Sequence, residues 1–194
     1  MAGYNRGMHT DAHAFYTWLV AKHGVKAGRA AGIAGAIGGV LPDVPAGLAA
    51  IYYGSTYLLG GDVPAGESML DAVFFKGPFG TTGSMLHSVV PPAALLGVYA
   101  AIRFGRVGVD PRRIVLWFLV GWVGHTVADF LTHVDDTRPL FWPLSGWEWS
   151  SPVSYYDPRH HGREFIALEH GGMLVISLWL LFKRLRGHEK RGPG

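Results

Sequence analysis

The chain contains no cysteine, which excludes thiolate zinc sites, cysteine nucleophiles and disulfides. It is also poor in charge: Asp, Glu, Lys and Arg make up 16% of residues, against about 25% in soluble domains. The Gly-rich tract at residues 32–39 lacks a following Lys-Ser/Thr and a preceding strand. A phosphate loop is therefore excluded there, and close helix packing accounts for the glycines. There is no internal repeat and no low-complexity tract. Polar and ionisable residues interrupt residues 1–20, so a cleavable signal peptide is not expected.

What is abundant is apolar and small. Hydrophobic residues make up 49%, glycines number 28, and the mean hydropathy is +0.20. The net charge of +3 does not indicate nucleic acid, because the basic residues cluster beside apolar runs rather than spreading over one face. The expectation is a single domain over residues 1–194, an all-α polytopic membrane helical bundle with about 4–5 transmembrane or half-spanning helices.

Residues 84–104, 114–132 and 165–182 each approach a bilayer span in length. Arg103, Arg106, Arg112 and Arg113 lie between the first two, and Lys183, Arg184, Arg186, Lys190 and Arg191 follow the third. An excess of positive charge marks cytoplasmic loops, which places residues near 84, 133 and 164 on the outer side. Residues 28–41 form an apolar run of about 21 Å as a helix, broken at Pro42-Asp43-Val44-Pro45. We read a hairpin, with residues 10–22 entering, 28–41 returning, and 46–59 in the outer interface or re-entering. The rival is one span broken at Pro42. Residues 60–83 contain a candidate interfacial helix, SMLDAVFF. Residues 134–164 carry Trp142, Trp147, Trp149, Tyr155 and Tyr156, which suit a headgroup anchor or a surface holding a lipid headgroup.

Ionisable groups within membrane helices are costly and face the bundle interior or a watery cavity. His125 and Asp129 are spaced i, i+4, so both can reach one ion; a hydrogen-bonded pair pinning two helices is the bland alternative. His133 lies on nearly the same face, about 12 Å further along, and joins them only if the helix ends or bends. The orientation argument gathers His87, Asp43, His133, His160 or His161, and Glu164 at the same outer face. With the N-terminus outside, His9 and His13 join them, one or both serving. Seven of the ten histidines then share one side. Imidazole and carboxylate together suit zinc or another divalent transition metal. His23 and His188 read as solvated. Glu169 and His170 read as ligand-orienting groups or a buried hydrogen-bonded pair. Ser88 does not face His87 on a helix and is no triad nucleophile.

Leu41-Pro42-Asp43 after a Gly/Ala-rich run, His87-Ser88, Gly124-His125-x-x-x-Asp129-Phe130-Leu131-Thr132 and Phe141-Trp142-Pro143-Leu144 stand in one order. In these the chain resembles the YdjM-like family of membrane-bound metal-dependent hydrolases, over residues 9 to 145. The Arg usual before the family's Thr-His-Ser element is absent, since Gly80–Leu86 precede His87. The ligand order is also distantly similar to soluble zinc-dependent phospholipases C and the fungal zinc nucleases, all-helical enzymes with three zinc ions. That likeness implies Asp43, His87, His125 and Asp129 around a first ion, and His133, His160 and Glu164 around a second. The N-terminal histidine, His9 or His13, would help hold a third. The interval from Asp129 to His133 is shorter than in those enzymes, and Met1 offers no equivalent of their N-terminal Trp amine.

The resulting expectation is an integral membrane protein of a bacterial or archaeal plasma membrane, its site on the outer side. It would be a hydrolase with two or three divalent metal ions, zinc foremost, cleaving a phospholipid or lipid-linked phosphoester. Asp43 or Asp129 would orient the attacking water. The rivals are a membrane transporter or metal-binding protein, and a non-catalytic membrane adaptor.

Overall fold

The computed structural model describes residues 9–106 and 108–189, and among them the chain is helical with no strand. α1 (Thr10–Leu19) continues through a π-helical turn at Val20–Gly24, reverses over residues 25–28, and returns as α2 (Arg29–Val40). Gly28 makes the reversal at φ 102°, a conformation L side chains rarely adopt. These are the two arms of the expected hairpin.

The chain does not break after α2 as the two prolines suggest. A 3-10 turn at Leu41–Asp43 leads directly into α3 (Val44–Leu58), so that Arg29–Leu58 is one helical rod of 30 residues. Each proline falls in the first turn of its segment, where the missing N–H forfeits no intrahelical bond. Residues 46–59 are therefore a continuation of that rod and not a separate interfacial piece.

The reverse correction applies to residues 84–104, expected as one helix. They divide between α5 (Gly77–Leu86) and α6 (Val90–Gly105), which meet at a 49° bend. Pro91 and Pro92 sit in the first turn of α6; deeper in a helix they would remove hydrogen bonds and clash with preceding carbonyls. His87 falls in the break. Between α3 and α5, the SMLDAVFF stretch largely forms α4 (Glu67–Phe74). α7 (Ile114–Thr132) occupies its expected span, and α8 (Gly162–Glu189) outruns its own at both ends. Three helices are long and apolar enough to cross a membrane: Arg29–Leu58, Ile114–Thr132 and Gly162–Arg186. These are the three among the described residues, and the bent α5–α6 pair adds a fourth only if it forms one broken span and not a re-entrant loop.

α2 and α7 cross backbone to backbone. A Cβ on Gly38 would lie 1.9 Å from the Phe118 carbonyl oxygen, and one on Gly121 would lie 2.1 Å from that of Gly35. Small residues permit such an approach between helices. α1 packs against both, with Ala21, Ala31 and Trp117 as the apolar centre, and α6 lies along α7. α3, α4 and α5 pack on one another, and residues 133–161 fold back onto the C-terminal end of α7. Asp43, His87 and Asp129 lie where these two groups of elements meet.

Candidate metal centre

Two breaks in helical geometry and one helix face bring the ligand-type side chains together. Asp43 comes from the 3-10 turn between α2 and α3, and His87 caps the C-terminal end of α5. His125 and Asp129 are one turn apart on α7. The His125 Nε2 lies 3.0 Å from Asp129 Oδ2 and 3.2 Å from His87 Nε2, and the latter lies 3.1 Å from the same Asp129 oxygen. Asp43 Oδ1 stands 3.5 Å from His87 Nε2 and 3.8 Å from His125 Nε2. Ligand atoms bound to tetrahedral zinc at its usual bond lengths are about 3.3–3.4 Å apart. The five separations, from 3.0 to 3.8 Å, bracket that value.

Helix ends fix the rings. Gly39 lies in the last turn of α2, where carbonyls run out of intrahelical partners. Its carbonyl accepts from His125 Nδ1–H at 2.7 Å. A nitrogen facing a carbonyl must carry the hydrogen, so in the neutral ring the Nε2 offers a lone pair. His87 has the same support from the Gly83 carbonyl, in the last turn of α5, at 2.7 Å. Two nitrogen lone pairs and a carboxylate oxygen then face one another at van der Waals distance or closer. Neither oxygen of Asp129, both buried, accepts a well-formed hydrogen bond among the described residues. Three electron-rich atoms so placed call for a cation between them. These buried His and Asp groups are close enough to hold a metal ion.

Asp129 faces a second set of imidazoles through its other oxygen. Its Oδ1 lies 3.2 Å from His13 Nε2, and the His13 ring lies over His125 with centroids 4.1 Å apart. His133 also approaches, because α7 ends at Thr132 and residue 133 is extended. Its Nε2 lies 3.6 Å from Asp129 Oδ2, and its Nδ1 lies 3.2 Å from Asp136 Oδ2. Burial works against a charged His133, but Asp129 and Asp136 outweigh it and push its pKa up to about 8. Burial likewise works against a charged Asp136, and His133 more than offsets it, holding that carboxyl below its usual range.

His9 does not share the Asp129 cluster. Its Nδ1 contacts Glu169 Oε2, and with His170 these residues make a separate half-buried group on α8. Glu169 and His170 are thus close partners, with His170 Nδ1 at 3.6 Å from Glu169 Oε2, but they also reach the N-terminal histidine. His160 and Glu164 are not brought to either group. His160 ends a 3-10 turn, His161 adopts a left-handed φ of 62°, and Glu164 is exposed at the start of α8. The turn places the first and the helix face turns out the second.

Several contributors carry no signal of their own in the sequence. Thr10 Oγ1 donates to Asp43 Oδ2 at 2.5 Å, and Trp122 Nε1–H donates to the Leu86 carbonyl at 2.6 Å, anchoring the turn that presents His87. Ser88 Oγ lies 2.7 and 3.0 Å from the carbonyls of Trp142 and Leu140, so its role is to hold the following loop. Tyr155, read as an interface anchor, is buried instead. Its hydroxyl donates to Asp136 Oδ2 at 3.2 Å and its ring lies 5.0 Å from His133. Arg138 sits beside His87, its Nη1 at 2.6 Å from Nδ1. The run Asp135-Asp136-Thr137-Arg138, directly after an apolar span in a chain poor in charge, was the available hint. No protein-family model, curated protein or solved structure matches the chain.

Proposed function

We propose that this protein is a membrane-embedded, metal-dependent hydrolase, a zinc phosphoesterase acting on a phospholipid or lipid-linked phosphoester. The observation that carries the reading is the Asp129 carboxylate. It is buried, lacks well-formed hydrogen bonds, and has one oxygen toward His87 and His125 and the other toward His13. A carboxylate with ligand-type groups at both oxygens would suit more than one cation. Asp43, His87, His125 and Asp129 would hold the first, and His13 with Asp129 would contribute to a second. Bound zinc supplies Lewis acidity toward phosphoryl oxygens and lowers the pKa of water.

The chain's own residues provide the rest. Gly39 and Gly83 hold the imidazole orientation through their carbonyls. Thr10 fixes the rotamer of Asp43, leaving Oδ1 toward the imidazoles. An apolar groove of about 570 Å³, lined by Tyr16, Val20, Trp117, Val120, Phe165 and Leu168, has His13 and Glu169 on its wall. That arrangement fits a substrate whose tail is apolar and whose head is charged. Near the cluster α2 and α7 meet backbone to backbone through Gly35, Gly38 and Gly121, which weighs against a transport pathway between them. Both the order of motifs resembling the YdjM-like hydrolases and the apolar spans support placement in a membrane.

The test is elemental analysis of the detergent-purified protein, followed by assays on phospholipid and on a soluble aryl phosphodiester. Bound zinc near two ions per chain and hydrolysis of either substrate are expected, with both lost in Asp129→Ala and His125→Ala. Full metal content in those two variants would falsify the assignment.

A further inference from the structure

Arg138 is a part-buried cation that stands near the carboxylates of Asp129, Asp43 and Asp136 but pairs directly with none of them among the described residues. Its Nε is sequestered and has no hydrogen-bond partner, and no carboxylate stands within ion-pair distance among the described residues. The nearby carboxylates are otherwise engaged: Asp43 with Thr10 and His87, Asp129 with the imidazoles, and Asp136 with His133 and Tyr155. Phe74 and Phe75 rings stand 5.9 and 5.8 Å from the guanidinium carbon and occupy space that water would otherwise fill. A buried guanidinium with idle donors is expensive unless something anionic completes it.

Its placement is built in. Val89 N–H donates to the Leu140 carbonyl at 2.9 Å, and Ser88 grips the same loop. A Cβ on Gly83 would already lie 3.2 Å from Arg138 Nη1, so glycine there makes room for the guanidinium. Two small cavities, each with room for about one or two water molecules, adjoin it, and both are walled by His87, His133 and Arg138. One also reaches Asp129 and the other Asp43.

The one polar contact Arg138 makes is contested. The His87 Nδ1 at 2.6 Å from Arg138 Nη1 is also 2.7 Å from the Gly83 carbonyl. A ring nitrogen has either a hydrogen for the carbonyl or a lone pair for the guanidinium, never both. Once Nε2 serves a cation in the neutral ring, the hydrogen stays on Nδ1 and goes to Gly83. Among the described residues Arg138 is then left with no acceptor.

We propose that Arg138 and the cavity beside it form an anion subsite that binds non-bridging oxygens of a phosphoryl group next to the His/Asp cluster. The inference rests on reading that cluster as a metal phosphoesterase centre and specifies its substrate: a phosphate ester that keeps a negative charge, as opposed to a neutral ester or amide. The planar fork of arginine suits paired phosphoryl oxygens.

The experiment measures binding of inorganic phosphate to the full-length zinc-loaded protein in detergent, by calorimetry and phosphorus NMR. It compares wild type with Arg138→Met and Arg138→Lys at equal metal content. Loss of charge-assisted hydrogen bonds predicts about ten- to hundredfold weaker phosphate binding in the Met variant, with partial rescue by Lys. In turnover, KM for both dihexanoyl phosphatidylcholine and the aryl phosphodiester should rise more than kcat falls. Unchanged phosphate affinity in Arg138→Met with full metal content overturns the subsite, whether or not the protein hydrolyses anything. No phosphate binding by wild type overturns it too. Arg138-dependent phosphate binding without hydrolysis of any ester sustains the subsite and removes the hydrolase reading.

Discussion

α7 and α8 are both long and apolar enough to cross a membrane, yet they meet the rest of the protein in opposite ways. In α7, 39% of the apolar stretch is buried, and glycine lets its backbone touch that of α2; in α8 none of it is buried. α7 carries two members of the central cluster, whereas α8 meets α1 through Glu169, whose carbonyl accepts from Tyr16 Oη at 2.8 Å. Hydropathy reports only what a helix can dissolve in. Whether it also organises chemistry depends on what interrupts the apolar pattern and on how closely another helix can approach.

The comparison is broken most severely at its tightest contact. Gly38→Val would drive a side chain into the Phe118 backbone, and we expect a loss of about 3 kcal/mol or more, read as a lowered detergent melting temperature. Next comes Asp129→Asn, which should weaken metal binding at least about 100-fold in a chelator competition, while Glu164→Gln at the exposed start of α8 leaves it unchanged. The third is a pH effect. The folded pKa of His133, about 8, exceeds its ordinary 6.5, so its contribution is complete below about pH 6.5 and is lost as pH rises through 8. In chelator-treated protein this amounts to about 2 kcal/mol, and His133→Gln should flatten the melting temperature over that window. Tyr16→Phe removes one tie between α1 and α8 and should cost about 1 kcal/mol without altering metal content. Smallest is Gly171→Ala. Nothing lies within 4 Å of a Cβ there, so helix propensity alone should stabilise α8 by about 0.5–1 kcal/mol.

Much of the helical layout was legible because it depends on local pattern. The apolar run of α7 continues past His125 and Asp129 to Thr132, and the structure has the same bounds, Ile114–Thr132. Prolines were harder to read. Pro42 and Pro45 suggested a break, yet each sits in a first turn and the rod continues. Pro91 and Pro92 lay inside an apolar run and were passed over, yet they begin a new helix and set His87 in the bend. A proline's effect depends on its place in the turn, which requires knowing where the helix starts. In the site, the gathering of Asp43, His87, His125 and Asp129 could be anticipated from spacing and side. The use of Thr10, Tyr155 and Arg138 could not, because each arrives from a loop or a helix end whose path is set by contacts distant in sequence. His160 and Glu164 looked eligible by spacing, but the turn after Pro158 presents them elsewhere.

The hydrogen bond from His125 to the Gly39 carbonyl joins the imidazole to main chain on a neighbouring helix. No substitution can delete that oxygen; only a change in how α2 lies against α7 can move it. If the chain spans a bilayer as proposed, lipids too thick or thin for the Arg29–Leu58 rod would alter its tilt. Acyl-chain length would then act on the aim of a ligand without touching the ligand itself.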